Sequence, residues 1–216
     1  MDKLVLFDFD GVLVDSLQPH IEFCLGINKK HALGLPLPKA SDIAAWRRLV
    51  GFPMIKFLTN IGLTAEQAGL IHDADYLNEF GCLGSHHAPP PFYPGVPELL
   101  KKLHDQGYYL GIVSLNNLAN ISKALGELAD RFEVIYAFDQ FSTKPPALRS
   151  ASVYLGIPPE QAIYIGDALS DYAAAKQAGL RFIGVSYGWQ ITGQETDFVS
   201  ADSPERLEQL IMESLC

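Results

Sequence analysis

Cysteine is scarce and scattered in this 216-residue chain: Cys24, Cys82 and Cys216 lie far apart, and no Cys-X-X-Cys pair occurs. That pattern excludes a zinc ribbon and a dithiol redox motif, and it reads as reduced thiols rather than a disulfide framework. Positive charge is also in short supply. Lys and Arg number 16 against 25 Asp and Glu, a formal net charge of −9. No basic stripe of the kind that holds a nucleic-acid backbone is present, and the acidic balance serves solubility. Long apolar runs are missing too: none approaches the roughly 18 residues of a membrane span. The run Leu4–Phe7 is interrupted by Asp8 and Asp10, so the start of the chain lacks the apolar segment of a secretory signal. The expectation is a soluble cytoplasmic protein that binds neither nucleic acid nor membrane. Its oligomeric state is not legible.

What is present is an ordinary globular composition, 48% apolar and 19% charged, which excludes intrinsic disorder. At roughly 150 residues per domain, the length allows one large domain or one domain with an insert. Short, nearly continuous apolar runs recur at Leu4–Phe7, Tyr109–Val113, Val134–Ala137, Ala162–Ile165 and Phe182–Val185. Runs without alternation suit strands buried on both faces, as in a parallel sheet. Between them lie helical stripes. Val96, Leu99, Leu100 and Leu103 form one, stopped by Gly107. Leu118, Ile121, Leu125 and Leu128 form another. Ser203-Pro204 caps a last one bearing Leu207, Leu210 and Ile211. The fold class is therefore α/β, a doubly wound parallel sheet.

Residues 17–91 interrupt this alternation. Ile21, Cys24, Leu25 and Asn28 suit a helix, as do Ile43, Ala44, Arg47 and Val50; Ala68, Ile71, Asp75 and Leu77 fit less cleanly. We read a small helical domain over 17–91, inserted into an α/β core formed by 1–16 and 92–216. The insert ends in the proline-stiffened loop Gly84–Pro91.

Chemistry-bearing residues gather at the carboxyl ends of the strand runs, where open α/β sheets bind ligands. The first run ends in Asp8-Phe9-Asp10-Gly11, whose two acids project to one side if the strand continues. Ser114 follows the second run and can hold a phosphate oxygen or cap the next helix. Lys144 follows the third run; a solvated lysine is the alternative. Gly166-Asp167 and Asp171 follow the fourth, where Asp171 can reach a metal or cap a helix. Each alone is weak. Together, Asp/Asp, Ser, Lys and Asp/Asp on four strand ends describe a hard-cation site beside a phosphate-sized anion position.

These residues resemble the four motifs of the haloacid dehalogenase superfamily of phosphohydrolases, in order: Asp8-Phe9-Asp10-Gly11-Val12-Leu13-Val14-Asp15-Ser16, Ser114, Lys144-Pro145, and Gly166-Asp167 to Asp171. Tyr93-Pro94-Gly95-Val96, Tyr187-Gly188 and Arg48-Leu49-Val50-Gly51 are similar to its phosphoglycolate phosphatase-like branch. The resemblance implies a Rossmann-like core with a helical cap after the first motif, Asp8 as nucleophile, and Asp10 as general acid and base. It implies Mg²⁺ held by Asp8, the Asp10 carbonyl and Asp167, with Asp171 supporting, and Ser114 and Lys144 on the phosphoryl group. Of Arg47 and Arg48 in the insert, one, Arg48 being the candidate, can reach the distal anion of a small phosphorylated metabolite; an exposed helix face is the alternative. Asp10 separates phosphoryl transfer from dehalogenation, since the dehalogenases lack that acid. A phosphomutase resembling β-phosphoglucomutase is the nearest alternative, and a non-enzymatic binding protein on the same fold is a remoter one. Two departures stand out: Leu115 follows Ser114 where Asn is frequent, with Asn116 one place later, and the stretch from Lys144 to Gly156 is short and lacks the usual acid after Lys-Pro.

Other residues carry blander readings. His86-His87 lacks a third ligand at a metal spacing and reads as a hinge. His72-Asp73-Ala74-Asp75 reads as a water-facing helix turn, Trp46 as core of the insert, and Trp189 as packing at the sheet edge.

Overall fold

The computed structural model describes residues 2–51, 53–80 and 88–215. Cys82, the His86-His87 hinge and Cys216 lie outside the described residues; Cys24 is a free, buried thiol that burial pushes up to about 12. By contacts the chain divides into two compact units, Met1–Asp15 with Pro91–Cys216, and Ser16–Pro90.

The larger unit is built on a six-stranded sheet of parallel strands: β1 (Leu4–Phe7), β2 (Tyr109–Val113), β3 (Val134–Tyr136), β4 (Ala162–Gly166), β5 (Arg181–Val185) and β6 (Val199–Ala201), in the order β3-β2-β1-β4-β5-β6. The alternation of side chains along β1 explains why all four of its residues are buried. Val5 and Phe7 enter a core with Val96, Leu99, Leu100, Leu103, Ile121 and Leu207, whereas Leu4 and Leu6 enter one with Leu148, Ala151, Tyr164 and Ala175. Each face is thus roofed by helices, which is what a parallel sheet requires. Five of these strands coincide with the apolar runs in the sequence. The sixth, Val-Ser-Ala, is too short and too mixed to leave a pattern, yet its pairing with β5 extends the sheet.

The smaller unit contains helices α1 (Leu17–Lys30), α2 (Ile43–Leu49), α3 (Met54–Asn60), α4 (Ala65–Ile71) and α5 (Leu77–Phe80), with a π-helical turn over His72–Tyr76 between the last two. Trp46 is fully buried here, edge-on to Phe57, with its indole N–H donating to the Lys39 carbonyl at 3.0 Å. Thr64 and Gln67 form a reciprocal cap at the start of α4. The π turn explains why periodicity blurred over 68–77: one extra residue shifts the faces. It also corrects the reading of His72–Asp75 as water-facing. Asp75 turns inward and is buried between Lys30 and His31, whose Nε2 lies 2.7 Å from its carboxylate.

The core unit continues with α6 (Val96–Asp105), α7 (Leu118–Leu125), α8 (Lys144–Leu155), α9 (Leu169–Ala178) and α10 (Pro204–Ser214). The Leu118 stripe ends sooner than its spacing suggests, because Gly126 turns the chain into a 3-10 turn that carries Leu128. Ser203 caps α10 by accepting from the Arg206 N–H.

Leu100, on α6, is fully buried against the sheet. Leu100→Ala is expected to cost about 2–5 kcal/mol, the range for removing a packed leucine. Leu118→Ala, at a more exposed position of α7, is expected to cost well under that. Urea unfolding of the two variants checks this; equal losses would contradict the assignment of the core.

Candidate active site

Between β1 and β4 the sheet order reverses direction, and the carboxyl ends of these strands form the crevice where such sheets hold ligands. Asp8 is the first residue past β1, and its N–H bonds the Ile165 carbonyl at 2.8 Å. The following six residues turn sharply, with the Leu13 N–H on the Phe9 carbonyl at 2.9 Å and Gly11 at φ +77. The chain leaves this unit at Asp15 and returns at Pro91, whose carbonyl accepts from the Asp15 N–H at 2.8 Å.

Two of the acids read from the sequence converge on one ammonium. Lys144 Nζ lies 2.5 Å from Asp8 Oδ2 and 2.6 Å from Asp171 Oδ1. It also sits 5.7 Å from the centre of the Tyr164 ring, whose hydroxyl donates to the Val113 carbonyl. Lys144 is the first residue of α8, where a cation opposes the helix dipole. The two ion pairs supply what the dipole withholds. The alternative of a solvated lysine is thereby excluded: its side chain is 13% exposed.

Asp8, Asp167 and Asp171 are all buried, and one oxygen from each lies within 4.8 Å of the others. Asp167 accepts from the Trp189 N–H at 2.7 Å, so Trp189 serves the site through its backbone. Asp171 spends its second oxygen on the Ala168 N–H at 3.1 Å, at the start of α9. It therefore both caps the helix and pairs with Lys144; the structure gives it no bond to Asp167. Glycines make this density feasible. A methyl on Gly11 or Gly188 would overlap the Asp167 carboxylate, and one on Gly166 would overlap Asp171.

One ammonium cannot balance three buried carboxylates, and the titration of the groups reflects that. Asp8 is raised to about 7, chiefly by burial, which Lys144 offsets in part while Asp171 and Asp10 add to it. Asp167 is held well above the usual carboxylate range by burial, then by Asp171 and Asp8. Burial alone would lower Lys144, but Asp171 and Asp8 outweigh it and hold the ammonium well above its ordinary value. All-oxygen, hard, anionic donors with charge left over fit a hard divalent cation.

Asp10 is not part of this cluster. It is half-buried, and its Oδ2 accepts from the Asn116 amide at 2.8 Å. Ser114, buried just past β2, accepts at its Oγ from the Asn116 N–H at 3.2 Å. The helix cap is not Ser114 but Asn117, which accepts from the Asn120 N–H at 2.8 Å. Arg48 belongs to the helical unit, exposed on α2, with Arg47 beside it half-buried. Sequence reasoning passed over Asn116 and the Trp189 N–H. Asn116 was visible only as a displaced family position, and a backbone donor leaves no signal in residue type.

The profile of the haloacid dehalogenase-like hydrolases matches residues 5–185. A phosphoglycolate phosphatase of Nitrosococcus oceani is 32% identical over 202 residues, covering 87% of this chain and 85% of its own. Another, from Vibrio vulnificus, is 31% identical over 235 residues, covering 98% and 97%. Among solved structures, a protein described as a predicted phosphatase from Clostridium acetobutylicum superposes with a TM-score of 0.74 at 25% identity over 99% of both chains. A haloacid dehalogenase-like family protein of Streptococcus pneumoniae has the same fold, with a TM-score of 0.73 at 23% identity over 98% of both.

Lys144→Met leaves the buried carboxylates without their counter-charge. In chelator, the variant is expected to lose about 3–5 kcal/mol at pH 8 and clearly less at pH 5. The sign follows from the raised carboxyls: protons held by the folded state stabilise it at low pH, and that contribution is lost as pH rises through the folded-state value. Urea unfolding at the two pH values measures it, and equal losses would refute the charge argument.

Proposed function

Because the chain belongs to the haloacid dehalogenase-like hydrolases, we propose that it is a magnesium-dependent phosphatase that hydrolyses a small phosphorylated metabolite of the phosphoglycolate or sugar phosphate type. The observation that carries this reading is the buried cluster of Asp8, Asp167 and Asp171 around a single Lys144. The phosphoglycolate phosphatases among its relatives support the substrate class.

Asp8 and Asp167, with the Asp10 carbonyl, would hold Mg²⁺, and Asp171 supports them through Lys144. When bound, the cation offsets the charge that otherwise opposes an anion attacking a phosphate ester. Asp8 is the nucleophile. One of its oxygens forms a bond to phosphorus as the bond from phosphorus to the ester oxygen breaks, and Asp10 gives that oxygen a proton. The product alcohol leaves an aspartyl-phosphate. Water then attacks the same phosphorus, Asp10 takes its proton, and the bond to Asp8 breaks to release phosphate and restore the carboxylate. Ser114 receives a backbone N–H at its oxygen, which leaves its hydroxyl proton for a phosphoryl oxygen. Lys144 stabilises charge on both Asp8 and the transferring group.

The helical insert, residues 17–91, acts in this reading as a cap that admits substrate and then excludes bulk water. Its Arg48 pairs with the distal anion of the substrate.

A panel of phosphoglycolate, sugar phosphates, nucleotides and pyrophosphate, ranked by kcat/KM with Mg²⁺, identifies the ester. Asp8→Asn is expected to abolish turnover, and Asp10→Asn to lower it about 10²- to 10⁴-fold. Chelation is expected to stop the wild type and added Mg²⁺ to restore it. Arg48→Ala is expected to raise KM about 10-fold or more for a carboxylated ester, the loss of one charge-assisted contact. In ¹⁸O-water, label must appear in the released phosphate; phosphoryl return to sugar without label would instead mean a mutase. Normal turnover by Asp8→Asn would sink the proposal.

A further inference from the structure

Asn116 is held by five hydrogen bonds around one side chain and its peptide groups. Its N–H donates to Ser114 Oγ at 3.2 Å, and its carbonyl accepts from the Phe138 N–H at 3.0 Å. Its side-chain Oδ1 accepts from the Asn117 N–H at 2.8 Å and from the Asn120 amide at 3.2 Å. Its Nδ2 donates to Asp10 Oδ2 at 2.8 Å. The two donors aimed at Oδ1 settle which way the amide points. Flipping it would set an NH₂ against the Asn117 N–H and a carbonyl oxygen against the Asp10 carboxylate, two repulsive contacts in place of two attractive ones.

We propose that Asn116 is the positioning residue for the acid–base Asp10, fixing the plane of its carboxylate through one oxygen so that the proton is delivered to the departing oxygen. The inference rests on the phosphatase reading above. It gives the displaced asparagine a definite task. The residue that follows Ser114 directly is Leu115, and Asn116, one place later, bridges the phosphate-side hydroxyl to the proton donor, through its backbone N–H to Ser114 and its side-chain amide to Asp10. Two groups that must act in the same step, Ser114 and Asp10, are thereby tied to a single residue.

A role in proton delivery has a signature that a structural role lacks. Esters with a basic leaving alkoxide need the proton in the transition state; aryl esters with an acidic leaving group need it far less. Asn116→Ala should therefore lower kcat/KM about 10- to 100-fold for alkyl phosphates, the worth of one hydrogen bond to a charged group, but only about threefold or less for p-nitrophenyl phosphate. Asn116→Asp keeps the acceptor used by Asn117 and Asn120 but replaces the donor by an oxygen that repels Asp10, so at pH 8 it should show the same steepened dependence on the leaving group even if the alanine variant folds poorly. Asn117→Ala, which removes the cap of α7 but spares the Asp10 bond, should lower Tm without changing that dependence. A uniform loss across the ester series in both Asn116 variants, or no loss, overturns the inference. Asp8→Asn in the same assay separates the two claims: if it is inactive while the Asn116 series is flat, only the positioning role falls, whereas if it remains active the phosphatase reading falls first.

Discussion

Three carboxylates buried around one ammonium set the terms for the rest of this molecule. Water would ordinarily pay for each of these charges, and here it is excluded. The Lys144 ammonium meets Asp8 and Asp171 directly, but the remaining negative charge must be carried by protons or by a cation. That deficit is why Asp8 and Asp167 sit above the usual carboxylate range. A fold optimised for stability alone would have replaced such a group by apolar side chains. A cluster of this kind marks a candidate site at which stability is exchanged for chemistry.

The sheet makes this concentration of charge possible without unravelling. Asp8, Ser114 and Asp167 follow directly from strands whose residues are buried on both faces, so their backbones are fixed by neighbours on each side. Tyr164 links the layers: its ring lies beneath the Lys144 ammonium and its hydroxyl reaches the Val113 carbonyl at the end of β2. The glycines do the complementary work of removing bulk. Gly188 brings the loop after β5 close enough for the Trp189 N–H to reach Asp167, a distance that any Cβ there would forbid.

Most of the charged framework was legible in the sequence, because a strand buried on both faces announces itself as an unbroken apolar run and the polar residue that ends it is conspicuous. Asp8, Ser114 and Asp167 stand out for that reason, and Lys144 follows its strand at a short remove. What escaped were features whose cause lies elsewhere in the chain. The strand Val199–Ala201 exists through its pairing with β5, not through its own composition. The π turn at His72–Tyr76 is one extra residue in a helical stretch, and the inward turn of Asp75 is set by Lys30 and His31, more than 40 positions away in sequence. The 106-residue separation of Asn116 from Asp10 hides their bond in the same way.

Asp8 and Asp10 are two positions apart, chemically identical, and yet differently housed, and this contrast bears on the two jobs proposed for one loop. Asp8 is buried against a cation and fellow acids, with its Oδ1 receiving the Phe9 N–H at 2.8 Å and its Oδ2 on Lys144. A carboxylate so pinned and so short of solvent presents a fixed oxygen to an electrophile. Asp10 lies outside the cluster, half-buried, and accepts one hydrogen bond from the neutral amide of Asn116. The Asn116 amide orients this carboxylate, and partial exposure leaves it open to water. Gly11, at φ +77, turns the chain immediately after Asp10. In the proposed mechanism, different surroundings rather than different side chains would divide nucleophile from proton carrier, which is the general way in which a pair of acids acquires separate roles.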